Sequence, residues 1–386
     1  MFATDILKVI YAPHKAFKGI IQNPKYFGPT LIVILFIAAS MGSTYAAISK
    51  TYIERTLPDG KLLDEWTENS TLWTSNAGIP TESNDSMNGS YYGNKSIAFS
   101  IINNTEVWGQ LKDVGSVNCS GPEGYSKLSF RIKWTSPKTR PANATIQLLS
   151  TSSSEYFSYN LTGALPNFTY NVWNNLTLPL ISDGWSNSSS AASWDNITGL
   201  KLDFAWTDSS NITLVVDGVF FRGNFNSLLE SAATTFLINY AFMAFTQILL
   251  VWVILTGLIY LMGRGLGGSV LWKPVLIVIG FTLVTMAVQS LVNTAAYLSS
   301  PTVHYPLELI GGVSGESDIA FNAILEQTWL TSQIMRYTQV AVYVWTIALC
   351  SLAVRVLTGF GWAKSFLIGA AAYLITLLAG SFLLGS

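Results

Sequence analysis

The residues of this chain whose type and spacing can do chemistry are mostly asparagines. Asn-x-Ser/Thr triplets begin at Asn69, Asn84, Asn88, Asn94, Asn103, Asn118, Asn143, Asn160, Asn167, Asn175, Asn187, Asn196 and Asn211, so thirteen of the seventeen Asn between 69 and 211 are N-glycosylation acceptors. None occurs elsewhere. Oligosaccharyl transfer happens outside the cytosol, so this block is expected to be external and to carry glycans. Other chemistry is sparse. Asp183, Asp195, Asp203, Asp208 and Asp217 are available carboxylates, but they form no paired acid/base motif. His14 and His304 are far apart, and Cys119 and Cys350 have no zinc or disulfide spacing. The Gly-rich GRGLGG run at 263–268 lacks the preceding strand and the Lys-Ser/Thr that a phosphate cradle needs.

Two kinds of sequence must position these residues. Of the 386 residues 50% are hydrophobic and 11% charged, against about 25% charged in a soluble domain. The net charge of -1 gives no pull toward nucleic acid. Residues 51–225 are polar and rich in Asn, Ser and Thr, whereas the flanks hold five apolar runs without Asp, Glu, Lys, Arg or His. Each is near the roughly 20 residues a membrane-spanning helix needs. The expected spans are 28–48, 233–262, 274–298, 337–354 and 365–385. Lys8, Lys15, Lys18 and Lys25 precede the first; Arg264 and Lys273 bracket the second loop, and Arg355 and Lys364 the fourth. The 299–335 loop has Glu308, Glu316, Asp318 and Glu326 instead. The positive-inside rule then predicts a cytoplasmic N-terminus, an integral cell-membrane protein, and an external C-terminus and 50–230 segment. Polar side chains inside the spans (Asn239, Thr246, Gln247, Gln289, Asn293, Gln339) read as hydrogen-bonding glue between helices.

The external block has the period of β-structure. Leu128, Phe130, Ile132 and Trp134 alternate with Ser129, Arg131 and Lys133, and Leu200, Leu202, Phe204 and Trp206 alternate with polar or small residues. Asn160 pointing outward puts Phe157, Tyr159 and Leu161 inward. Asn211 outward puts Ile212, Leu214, Val216 and Phe220 inward. Many short strands separated by turn residues predict an antiparallel sandwich or jelly roll over 55–225.

The stretches LLDEWTENSTLW (62–73), YSKLSFRIKWTS, WNNLTLPL, WDNITGLKLDFAW and ITLVVDGVFFRG resemble galactose-binding-like jelly rolls, most of all carbohydrate-binding modules. That resemblance implies sugar binding by aromatic residues, for which Trp185 and Trp194 in the irregular 182–196 stretch are the candidates. It also implies a structural calcium near the first and last strands, with Asp217, Asp64 and Glu65 at the matching positions. Asp217-Gly218 reads equally as a turn signal.

Residues 1–27 form an amphipathic segment. Ile6, Val9 and Ile10 share one helical face and Ala16, Phe17, Ile20 and Ile21 another, divided by Pro13. Such a piece lies on the inner membrane surface or docks a cytoplasmic partner. APHKAFKGIIQNPKYFGPTLIVILF (12–36), MGRGLGGSVLWKP (262–274) and GFGWAKSFLIGAAAYLI (359–375) resemble the Yip (Ypt/Rab-interacting) family in its archaeal and bacterial form, which implies five spans and a cytoplasmic N-terminus. No activity comes with that resemblance. In the 299–335 loop, Ile319, Phe321, Ile324, Leu325 and Trp329 predict a short amphipathic helix, on the outer membrane surface or beneath the sandwich.

The expected molecule is a multi-domain membrane protein, a five-helix transmembrane bundle with an extracellular all-β jelly roll inserted between helices 1 and 2. Its expected role is non-enzymatic. A Yip-like body anchors a glycosylated domain that binds carbohydrate or a neighbouring surface protein. The alternatives are an accessory subunit of a larger membrane complex, homo-oligomer or transporter, and a membrane-bound carbohydrate-active enzyme.

Overall fold

The computed structural model describes residues 2–59, 64–151 and 154–384. Leu62 and Leu63, at the start of the expected opening strand, and Gly385 lie outside them. The chain divides into two compact units. The membrane unit comprises Met1–Thr51, Ser227–Val303 and Glu326–Ser386, and the β unit Tyr52–Asn226 and His304–Leu325.

In the membrane unit, the helices long and apolar enough to cross a bilayer are Phe27–Ile48, Ala233–Gly265, Trp272–Ser299, Trp329–Thr358 and Trp362–Leu383. The third is interrupted at Leu283. Small residues set how closely these helices approach. A Cβ on Gly28 would fall 2.0 Å from the Phe281 ring, one on Gly280 2.7 Å from Pro29, and one on Gly369 2.8 Å from the backbone of Ser351. The N-terminal segment forms two helices, α1 (Phe2–Tyr11) and α2 (Pro13–Gln22). Their apolar faces do not lie free for lipid or a partner. Ile6, Val9, Ala16, Phe17 and Ile20 are buried in the same core as Val275, Ile279 and Ala353, because the ends of the bundle offer the nearest apolar surface.

The β unit contains strands β1 (Thr51–Leu57), β2 (Trp73–Ser75), β3 (Thr81–Ser83), β4 (Ser96–Leu111), β5 (Lys127–Ser136), β6 (Asn143–Leu149), β7 (Tyr156–Asn160), β8 (Asn174–Pro179), β9 (Trp185–Asn187), β10 (Gly199–Ser227) and β11 (Val303–Tyr305). β4 and β10 are long and bent, and each serves two leaves. One leaf runs β2-β4-β10-β6-β7-β9 and the other β3-β4-β10-β5-β8, with antiparallel pairing throughout. β10 changes leaf where its register with β4 slips, between Ala205 and Ile212. One core joins the leaves, including Phe99, Val107, Leu128, Phe130, Trp134, Ile146, Leu202 and Phe204. The insertion between the first and second spans is thus an antiparallel jelly-roll-type sandwich.

Two departures from simple alternation matter. Phe220, expected inward with Ile212, Leu214 and Val216, faces the other way. Its register with β5 gains one residue between Asp217 and Phe220, at Gly218 with φ +57. A one-residue bulge reverses the parity of everything beyond it. Asp217-Gly218 is therefore not a chain reversal. Arg131 and Ser129, on the expected solvent side of β5, are only 4% and 5% exposed. The chain between the third and fourth spans covers that side, and Phe220 packs there with Tyr92, Leu307 and Val313.

Candidate functional site

The covering segment is held by buried charge. Arg222 in the last third of β10 donates Nε and Nη2 to Glu54 at 2.9 and 2.8 Å, and Nη1 and Nη2 to Glu308 at 2.6 Å each. Glu54 Oε2 also accepts from the Leu307 amide at 2.6 Å, closing the junction. Burial opposes ionisation of Glu308, but the hydrogen bonds and charge of Arg222 outweigh it and hold that carboxyl below the usual range. Arg131 makes a second fork, donating Nη1 and Nη2 to Glu316 at 2.9 and 2.6 Å and Nη2 to the Tyr92 hydroxyl. Sequence reasoning missed these residues. Their only signal was Arg131 and Arg222 beside apolar strands and an acidic loop without Lys or Arg.

Of the three candidate metal ligands, the fold brings two together. Asp64 and Asp217 are fully buried. The Thr67 hydroxyl lies 3.2 Å from Asp217 Oδ1 and 3.5 Å from Asp64 Oδ2. The Met87, Gly93 and Gly218 amides donate to the pair. Burial pushes Asp64 up to about 6 and Asp217 up to about 7; the charge of Glu68 adds to the rise at Asp64, and that of Asp64 to the rise at Asp217. Glu65 is exposed and does not join them. A calcium ion takes six to eight oxygen ligands, and among the described residues no third acidic group, His or Cys completes a set. The backbone amides already occupy carboxylate oxygens an ion would use. The pair as built suits a retained proton better than a divalent cation. Cys119 offers no nucleophile, since burial pushes its thiol up to about 12.

Trp185 and Trp194 converge, but on other rings. Trp194 stacks on Phe157 with centroids 3.9 Å apart and meets Trp185 edge-on at 5.5 Å. Trp185 packs against Tyr159, and its Nε1 donates to the Pro179 carbonyl. Both extend the sandwich core outward.

The opposite face of that leaf is polar. Register alignment places Trp108 beside Asp203 and Asp203 beside Thr145, with Gln110, Lys201 and Gln147 forming the next row. Lys201 Nζ stands 5.0 Å from the centre of the Trp108 ring and 3.3 Å from Asp203 Oδ2. The negative charge of Asp203 raises the Glu106 carboxyl, with burial adding to it. This face joins one indole to amide, carboxylate and ammonium groups, all half-buried. The outward alternation of β4, β6 and β10 carried the signal.

The acceptor asparagines sort by exposure. Twelve of the thirteen are exposed and Asn196 is half-buried; of the four Asn outside any triplet, Asn76, Asn104 and Asn174 are half-buried and Asn171 is exposed. The Asn175 and Asn187 amide nitrogens donate to Glu316 and to the Ser189 carbonyl.

Comparison with known proteins adds two likenesses. Residues 204–384, which include the second to fifth spans, match the family model of the Yip1 domain. A search of curated proteins gives no match. Among solved structures, the family 11 carbohydrate-binding module of Clostridium thermocellum in complex with a β-1,3-1,4-mixed-linked tetrasaccharide is 16% identical, with a TM-score of 0.27, covering 43% of this chain and 94% of that one. A β-1,2-glucanase from Parabacteroides distasonis is 15% identical with a TM-score of 0.29, over 40% of this chain and 24% of that one. A family 30 carbohydrate-binding module is 12% identical with a TM-score of 0.26, over 40% and 80%.

Proposed function

We propose that this protein is a non-enzymatic membrane anchor for a carbohydrate-binding β domain. The observation carrying this reading is the outer face of the β2-β4-β10-β6-β7-β9 leaf. A sugar ring presents C–H groups that settle on an indole and hydroxyls that exchange hydrogen bonds with amides and charged groups. Trp108, Lys201, Asp203, Gln110 and Gln147 supply those partners on adjacent strands of a rigid sheet. Trp185 and Trp194 are spent on one another and on Phe157. Asn143 and Asn160 stand at the β6-β7 side of the same face, so glycans there would narrow it toward Trp108.

In this reading the β unit faces outward and its exposed acceptors carry glycans. The pairing of basic residues with aromatic rings supports a cytoplasmic N-terminus: Lys273 over Tyr26, Arg355 over Trp362 and Lys364 over Phe360. All three lie at span ends on the side of α2, where Lys/Arg accumulate on cytoplasmic faces. A second reading, a subunit of a larger membrane complex, draws support from helix Glu316–Gln327, whose Ile319, Phe321 and Leu325 are all exposed.

The test is a glycan array probed with the full-length protein in a sugar-free detergent. Trp108→Ala is expected to lower retention on the preferred glycan at least tenfold, while Trp185→Ala leaves it within twofold. Absence of any retained glycan, or loss with Trp185→Ala alone, would refute the reading.

A further inference from the structure

The membrane unit holds a cavity of about 320 Å³ among its first three spans. Its walls include Ser43 and Thr44 of the first span, Tyr240 and Gln247 of the second, and Gln289 and Asn293 of the third. The amides at 247, 289 and 293 were expected to bind neighbouring helices, but other groups make the interhelical bonds. Ser40 bonds Ser290 at 3.2 Å, Thr285 bonds Thr346 at 2.8 Å, and Trp252 Nε1 donates to the Leu276 carbonyl. Asn293 Oδ1 is fully buried and has no hydrogen-bond partner among the described residues. Within a bilayer a polar group that neither protein nor water satisfies is strongly disfavoured, so a cluster of amides around a void calls for an occupant.

The lining states the chemistry of that occupant. It contains no charged residue, so phosphate, carboxylate or ammonium groups would enter without a counter-charge. Amides and hydroxyls both donate and accept, which matches hydroxyl groups that also do both. The volume is at the lower end of the roughly 300–1,000 Å³ of small-molecule sites, enough for one small head group. Tyr240 and Met243, on the wall formed by the second span, are 47% and 55% exposed, so that wall opens sideways rather than along the bundle axis.

We propose that this cavity binds one neutral polyhydroxyl group, a sugar ring or glycerol, entering from the side. The group is either the head of a glycolipid or a free sugar. The site is independent of the β unit and of its reading as a carbohydrate binder. The full-length protein, purified in a polyoxyethylene ether detergent, is offered monoglucosyl diacylglycerol, phosphatidylserine or free glucose, and bound species are counted by native mass spectrometry. A glucosyl-lipid adduct is expected, reduced at least tenfold by Asn293→Leu. Gln247→Leu at the exposed rim, which leaves the packing intact, is expected to do the same, and Gln339→Leu, in the fourth span and away from the cavity, where its side chain bonds Tyr343 of the same helix, to change nothing. Saturable binding of glucose alone with the same sensitivity assigns the source to water; binding of the lipid alone assigns it to the bilayer. No adduct, equal retention of phosphatidylserine, or an adduct indifferent to both cavity variants overturns the proposal.

Discussion

In the β unit a guanidinium, Arg222, lies 5% exposed between two carboxylates. In the membrane unit the buried polar contacts on the fourth span include a threonine pair and a Cys350–Thr282 contact. Both units bury polar groups, but over very different energy scales. A charge removed from water needs matching charge and full hydrogen bonding, and losing one partner strands the other. A hydroxyl inside a helical bundle can bond its own backbone, as Thr346 does with Val342. Its interhelical bond is then replaceable. The difference also explains where the chain can tolerate change. The β unit is fixed by a few irreplaceable ionic joints, and the membrane unit by many small steric fits such as Gly28 against Phe281.

The contrast is most open to attack at Arg222. Arg222→Ala is expected to destabilise the β unit by about 3–5 kcal/mol, because Glu54 and Glu308 are left facing each other. Thermal unfolding with limited proteolysis of the 304–325 segment checks it. A loss below 1 kcal/mol would mean the joint is replaceable after all.

The Asp64–Asp217 pair sharpens the comparison by pH. Its carboxyls lie above their ordinary 3.8 in the folded state, so the folded chain holds more protons than the unfolded one between about pH 4 and 7. That contribution is full below 3.8 and is lost as pH rises through 6 to 7. Glu308 acts oppositely, since its carboxyl is depressed and its contribution is lost as pH falls below the usual carboxylate range. The β unit should therefore unfold at its highest temperature between about pH 4 and 5. Asp64→Asn should flatten the decline toward pH 7, and an unchanged slope would remove the pair as its cause. Calcium or its chelation should leave the melting temperature at pH 7 unmoved.

The smallest effect belongs to the membrane unit. Thr346→Val should cost about 0.6 kcal/mol, and no more than ~2, in the midpoint of unfolding in mixed micelles. A loss matching that of Arg222→Ala would erase the distinction between the units.

The sequence disclosed what depends on local pattern. Five charge-free runs read as spans because lipid excludes charge along a whole helix. Leu128 to Trp134 read as one face of a strand because the pleat has a period of two. What escaped depended on distant chain. Arg131 looked solvent-facing because its cover comes from Glu316, 185 residues away. Phe220 was assigned the wrong face because a single left-handed glycine shifts the count. Gln247, Gln289 and Asn293 read as helix glue because composition shows which groups can bond, not whether a neighbour stands within reach. Trp108 is not among the aromatic residues the sequence singles out, because only its register with Lys201 and Asp203 places it outward.

The β unit is closed by His304–Leu325, a piece the ribosome makes only after two further spans. While Tyr52–Asn226 waits, Arg131 and Arg222 lack Glu316 and Glu308, and Tyr92 and Phe220 have nothing over them. The nascent sandwich must stay unfinished for roughly 80 residues of elongation, about 4–16 s at 5–20 residues per second. During that interval it is a natural client for holding factors. A truncated chain ending after the second span would leave the surface permanently bare.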